Sequence, residues 1–253
     1  MNNSDYKISV IMPALNEENN IEDAVNNVVG AFKKKGVNGE IVVINDGSSD
    51  NTENIVRALM QQHRFIKMIK HENPIGVGTS FWEGVQNASG EIVVFIPGDG
   101  ENNAYETLQY IDILEHTDLV IPYVYNTNVR PLSRRILSKL YKNILNMTFG
   151  TEIKYLNGTV MYRKLILKNV KLKSTGFFFQ AELVVKCIKN GYLYAEVPYF
   201  IKKRVYGDSK AVTFKSLLKI CIDYLKIIIE LYMKKKNDIE EGSVTASKRY
   251  INN

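Results

Sequence analysis

EIVVFIPGDGENN, residues 91–103, is the stretch whose reading decides the fold. Residues 93–96 are an apolar run of strand length, halted by Pro97-Gly98. Two carboxylates follow two positions apart, Asp99 and Glu101. In open α/β sheets ligands bind beyond the carboxyl ends of the strands, so an acidic pair there is placed to hold a divalent cation. Taken singly, such a pair reads equally well as a solvated loop. Its neighbours change that reading. Working outward, residues 8–12 form a second apolar strand running into Pro13-Ala14-Leu15-Asn16-Glu17. Residues 41–44, IVVI, form a third, running into Asn45-Asp46-Gly47-Ser48-Ser49-Asp50.

Between these strands the period changes. Residues 18–32 place Ile21, Val25, Val28 and Phe32 on one helical face. Asp50 is expected to cap a helix over residues 51–63, residues 66–69 read as a strand, and residues 79–87 as a helix. Strands alternating with helices predict a doubly wound, mostly parallel sheet flanked by helices. The three acidic strand ends then converge on one ligand.

Beyond residue 103 the pattern loosens. Residues 118–122, 155–162 and 192–199 read as strands, the second with a turn signal at Asn157-Gly158. Residues 177–189 read as a helix. Residues 130–142 carry Arg130, Arg134, Arg135, Lys139 and Lys142 without an acid, with Ile136, Leu140 and Ile144 on a separate face. A basic loop spans residues 202–210. A long amphipathic helix over residues 213–236 carries the stripe Phe214, Leu218, Cys221, Leu225, Ile228 and Tyr232. That stripe either covers the core or lies in a membrane interface with Lys215, Lys219, Lys226 and Lys234 to Lys236 towards anionic headgroups. The expected organisation is a catalytic domain over 1–212, the amphipathic helix over 213–236, and a polar, disordered tail over 237–253.

The chain has 253 residues, 45% hydrophobic, with a net charge of +6 and a pI near 9.0. This balance favours anionic partners: nucleotides, phospholipid headgroups or nucleic acid. The two cysteines, Cys187 and Cys221, sit in apolar-periodic segments and read as buried free thiols, fitting a reducing cytoplasm. The first residues lack the apolar core of a signal peptide, and no run reaches the ~18–20 uncharged apolar residues of a spanning helix. A soluble or peripheral protein is expected.

These motifs resemble family 2 of the glycosyltransferases, inverting enzymes of the GT-A fold. Pro13 to Glu17 is similar to the family's P-x-x-N-E. Asn45 to Asp50 is similar to D-D-G-S-x-D with Asn for the first Asp, and Asp99-Gly100-Glu101 stands at the place of D-x-D. Asn73, Gly76 and Gly78 resemble the N-x-G-x-G loop with one extra residue, and Gly84 the glycine of the following helix. Residues 175–210, TGFFFQAELVVKCIKNGYLYAEVPYFIKKRVYGDSK, are similar to the dolichol-phosphate and polyprenyl-phosphate mannosyltransferases, with their F-x-F-Q-x-E, E-V-P and R-V-Y-G-x-S-K motifs. The resemblance spans roughly residues 7 to 212.

It implies a nucleoside-diphosphate sugar donor framed by Pro13, Leu15, Asn16, Glu17, Asp46, Gly76, Asp99 and Gly100. Mg²⁺ or Mn²⁺ would be held by Asp99 and Glu101, with Asn103 as a further oxygen. The acceptor phosphate would be bound by Arg134, Arg204, Ser209 and Lys210. Gln180 stands about where sugar-acceptor members carry an Asp base. Glutamine takes no proton at neutral pH, and a phosphate acceptor, already anionic, requires no base. The implied reaction is inverting sugar transfer to a polyprenyl phosphate on the inner, cytoplasmic face of a membrane, with Asp99, Glu101, Arg134 and Gln180 as catalytic residues. Two alternatives stay open: a transferase of the same fold acting on a glycan or glycolipid in surface polysaccharide assembly, and a basic binding module without turnover. Nucleic acid is not expected as a partner. Two departures fall in the acceptor half. Pro122-Tyr123-Val124-Tyr125 lacks the arginine of the family's Ser-Arg-Tyr triplet, and Lys154 replaces an acidic residue.

Overall fold

The computed structural model describes residues 7–201 and 214–233. Its strands are β1 (Ile8–Ala14), β2 (Gly39–Asn45), β3 (Ile66–Lys70), β4 (Ile92–Phe95), β5 (Leu119–Val124), β6 (Met161–Arg163) and β7 (Tyr194–Tyr199). Its helices are α1 (Ile21–Lys35), α2 (Thr52–Gln62), α3 (Val77–Asn87), α4 (Ala104–Leu108), α5 (Leu132–Phe149), α6 (Lys164–Leu167), α7 (Phe179–Lys189) and α8 (Phe214–Met233). The strands make one seven-stranded sheet in the order β3-β2-β1-β4-β6-β5-β7. β1 pairs in parallel with β2 and β4, β2 with β3, and β5 with β7. Only β6 runs antiparallel, against both of its neighbours.

Every residue of β1 and β2 is buried, as expected of central strands covered on both faces. Alternation along β1 divides the core. Ile11 packs with Val42, Phe81 and Leu183 on one face, and Val10 and Met12 with Val25 and Leu59 on the other. α1 buries Ile21, Val25, Val28 and Phe32, the face read from the sequence, and ends at Gly36 in the left-handed conformation. α3 lies so close to β1 that a Cβ at Gly84 would collide with Ile11.

After residue 103 the structure corrects the reading at two places, the strand over residues 155–162 and Cys221, and decides which faces of two helices turn outward. The strand expected over residues 155–162 shrinks to β6, because Gly158 closes against the Pro122 carbonyl, leaving no room for a Cβ. On α5 the set Ile136, Leu140 and Ile144 faces outward, and the helix packs through Tyr141, Leu145 and Phe149 instead. On α8 the expected stripe is rotated. Ile227 is buried with Ile220, Tyr224, Ile228 and Leu231 packed beside it, whereas Leu218, Leu225 and Tyr232 are exposed. Cys187 is a buried free thiol, but Cys221 is exposed. Both helices carry apolar residues on more than one face, so periodicity could not say which turns inward.

Polar contacts fix the answer for α8. The Tyr224 hydroxyl meets Thr148 Oγ1 at 2.6 Å, and Glu230 pairs with Lys186 and Lys173, each at 3.1 Å. Lys186 also bonds Glu182, whose carboxylate accepts from the Lys173 and Ser174 amides. α8 is thus tied to α5, α7 and the loop before α7.

Candidate active site

Because β1, β2 and β4 are parallel, their carboxyl ends share one edge of the sheet. A cavity of about 700 Å³ opens there. Pro13, Leu15, Glu17, Asp46, Gly76, Asp99, Glu101, Arg134 and Gln180 all line it, so one space gathers most of the residues singled out in the sequence.

Asp46 follows β2 and is almost fully buried. Its Oδ1 accepts from the Ile75 amide at 2.9 Å and meets His71 Nδ1 at 2.8 Å; its Oδ2 accepts from the Gly76 amide at 3.0 Å. Three of about four carboxylate acceptor positions are taken, leaving one on Oδ2 for a ligand donor. His71 Nε2 lies 2.6 Å from Glu83 Oε2. Burial pulls the imidazole pKa down, but the bonds to Asp46 and Glu83 outweigh it, and the value rises above 6.5. Gly76 has φ +104, and a Cβ on it would strike the Thr175 carbonyl, which accepts from the Gly78 amide. The loop before α3 is thereby clamped between Asp46 and the segment before α7.

The loop after β1 is held differently. Asn16 adopts φ +53, and its side chain accepts from the Ser49 amide at 2.8 Å while its own amide donates to Ser48 Oγ at 3.0 Å. It fastens the β1 loop to the β2 loop and does not line the cavity. Asp50 accepts from the Thr52 amide and from the Glu18 amide, at 3.0 and 3.1 Å, so it joins the start of α2 to the same loop although Asn51 is the capping position. Glu17 lines the cavity and accepts from Asn20 at 2.8 Å.

After β4 the chain turns at Gly100, φ +72, and Asp99 Oδ1 accepts from the Glu101 amide at 3.1 Å. This turn, which keeps Gly100 itself out of the lining, brings both carboxylates to the cavity. Asn103 does not join them: its side chain accepts from the Tyr105 amide at 3.1 Å and caps α4, and Asn102 lines the cavity instead. No cluster of three or more metal-ligating side chains exists among the described residues. Two hard carboxylate oxygen donors suit an octahedral Mg²⁺ or Mn²⁺ that draws its remaining ligands from water and phosphate.

The far wall is cationic and aromatic. Gln180 Nε2 donates to the Gly158 carbonyl at 3.1 Å, so this side chain holds the turn at residues 157–158. Arg134 and Ser138 of α5 line the cavity. Arg204, Ser209 and Lys210 lie outside the described residues. Arg130, Tyr155 and Lys219 are among the lining residues that escaped the sequence reading of the site. Arg130 donates through Nη1 to the Tyr155 hydroxyl at 2.9 Å. Lys219 of α8 reaches over Gly176 and Gly76, not towards headgroups. Their pattern was visible as basic helices, but their direction depends on how α5 and α8 dock.

A ligand cavity at the carboxyl ends of a mostly parallel sheet, with an acidic pair past a central strand, is the GT-A architecture of glycosyltransferases. The chain belongs to glycosyl transferase family 2, whose family model matches residues 9–171. It is 27% identical to the dolichol-phosphate mannosyltransferase of Pyrococcus furiosus, covering 92% of this chain and 66% of that protein. It is 28% identical to the polyprenol monophosphomannose synthase of Mycolicibacterium smegmatis, covering 79% of each. It is 29% identical to the glycosyltransferase GlyA of Streptococcus pneumoniae, of whose length it spans 31%. Among solved structures, glucosyl-3-phosphoglycerate synthase from Mycobacterium tuberculosis superposes with TM-scores of 0.64 in complex with Mn²⁺, UDP and product and 0.65 in complex with Mg²⁺ and UDP. These matches are 22% and 21% identical and cover 89% of this chain and 79% of the other. The protein is a glycosyltransferase.

Proposed function

We propose that this glycosyltransferase moves a sugar from a nucleoside-diphosphate sugar to a polyprenyl phosphate, working peripherally at the cytoplasmic face of a membrane. The observation that carries the reading is the composition of the cavity: carboxylates at the strand ends, then a cationic wall, then two helices with apolar outer faces. The names of the P. furiosus and M. smegmatis relatives support it.

Asp46, with its last acceptor position, and Glu17 would read the nucleotide. Asp99 and Glu101 would hold Mg²⁺ or Mn²⁺, which when bound neutralises the charge of the departing diphosphate. The acceptor phosphate, oriented by Arg134, attacks the anomeric carbon from the side opposite the diphosphate. A bond forms from phosphate oxygen to carbon, the bond from carbon to diphosphate oxygen breaks, and configuration inverts. No proton has to be removed from the nucleophile, in keeping with an amide, Gln180, on that wall.

The helices favour a membrane-held acceptor. α5 exposes Leu132, Ile136, Leu140, Ile144 and Met147, the last at 85%. α8 exposes Leu218, Ile222, Leu225 and Ile229. α5 has no acidic residue, and both acids of α8 are turned in, Asp223 buried and Glu230 paired with lysines. Among the described residues no helix is long and apolar enough to cross a membrane. An apolar face on two helices whose exposed charges are all cationic suits the surface of an anionic bilayer. The test is product identity. Offered labelled UDP- and GDP-sugars with undecaprenyl and dolichyl phosphate in anionic vesicles, the enzyme should form an acid-labile lipid-phosphate sugar. Label appearing only on a glycan or glycolipid hydroxyl would refute the acceptor assignment.

A further inference from the structure

Arg130 stands just before α5 with its side chain lining the cavity. The guanidinium is held by one hydrogen bond, to the Tyr155 hydroxyl, and lies 5.7 Å from the centre of that ring. Its Nε is buried without a partner. Glu101 shares the cavity but makes no ion pair with Arg130 among the described residues. An arginine stays charged in a protein and offers five donors, of which the Tyr155 hydroxyl takes one. A tyrosine hydroxyl is a neutral partner, so the remaining donors can take an anion in the cavity.

We propose that Arg130 binds the phosphate of the acceptor, as a residue of the site that the sequence motifs do not mark. The assignment rests on the acceptor class proposed above. Arg130, Arg134 and Ser138 recur every four residues, and all three line the cavity. Interleaved with them, Leu132, Ile136 and Leu140 face outward. A phosphate seated on this row has an apolar path for its lipid along α5, whereas the donor end is built by Asp46 and Gly76 from other elements.

The test compares wild type with Arg130→Gln, Arg130→Lys and Tyr155→Phe. The probes are farnesyl phosphate, farnesol, UDP and GDP, each with Mn²⁺, measured by calorimetry. Wild type should bind farnesyl phosphate far more tightly than farnesol. Arg130→Gln should weaken farnesyl phosphate about tenfold to a hundredfold, the range for a lost charge-assisted hydrogen bond, while nucleotide affinity stays within about threefold. Retained nucleotide binding also shows that the variant is folded. Arg130→Lys, which keeps charge but loses the fork, should fall between, and Tyr155→Phe should lose less than Arg130→Gln. Weakened nucleotide binding with farnesyl phosphate unchanged would move Arg130 to the donor and overturn the assignment; no change in either would overturn it equally. If wild type binds nucleotide but not farnesyl phosphate, the acceptor class fails and this inference with it.

Discussion

His71 has a carboxylate on each ring nitrogen, and that arrangement has a pH signature. Its pKa is raised above the ordinary 6.5 because Asp46 and Glu83 favour the imidazolium more than burial opposes it. A group whose pKa rises on folding contributes its full stability below its unfolded value and loses it as pH climbs through the folded value. The melting-temperature advantage of wild type over His71→Asn should therefore be greatest near pH 6 and shrink in alkaline buffer. An advantage that grows with pH would mean the ring is held neutral. Gln180 makes a different prediction. Its amide supports the Gly158 carbonyl, so Gln180→Ala should lower stability by about 1–3 kcal/mol for a carbonyl left unpaired. With no base lost, turnover at saturating substrate should fall by less than about tenfold. A collapse comparable to that of Asp99→Ala would indicate an acceptor hydroxyl positioned through Gln180. At this scale the sequence set Asp46 and Asp99 at strand ends, and both line the cavity, because a strand end dictates where the next side chains go. It could not tell that Asn16 and Asn103 spend their amides on neighbouring backbone, since such bonds depend on loop conformation.

α5 and α8 are where element and sequence part company. Both helices were legible as helices, but each has apolar residues around most of its circumference. The face that packs is chosen by partners distant in sequence, Thr148 with Tyr224 and Lys186 with Glu230. Leu140, and Leu225 from the stripe left open between core and membrane interface, form the outer surface. If that surface seats on a bilayer, Leu140→Glu with Leu225→Glu should reduce co-sedimentation with anionic vesicles by about tenfold or more. Both substitutions are at exposed positions, so the melting temperature should hardly move. Neutral vesicles should bind wild type more weakly than anionic ones, and added salt should narrow the gap. Vesicle binding indifferent to both substitutions would place the contact elsewhere.

For the molecule as a whole, the first hundred residues announce their fold because the central strands β1 and β2 are buried on both faces and α1 has one clear apolar stripe. The half after residue 103 does not, since β6 runs antiparallel between β4 and β5 and long irregular segments fill the core with Ile153, Leu156 and Val160. The wall of the cavity with Asp46, Asp99 and Glu101 comes from the legible half, and most of the cationic and aromatic wall from the other. The account stands on the donor side first: Asp99 and Glu101 must couple a metal to a nucleoside diphosphate. The direct measurement is thermal unfolding of wild type and Asp99→Ala with UDP, GDP, ADP and CDP, each with and without Mn²⁺. A ligand present at a hundred times its Kd adds about 2.7 kcal/mol to the stability of the native state. One nucleotide should raise the wild-type melting temperature only when Mn²⁺ is present, and the rise should vanish in Asp99→Ala. A rise independent of Mn²⁺ and undiminished in Asp99→Ala, or none for any nucleotide in folded protein, would contradict it.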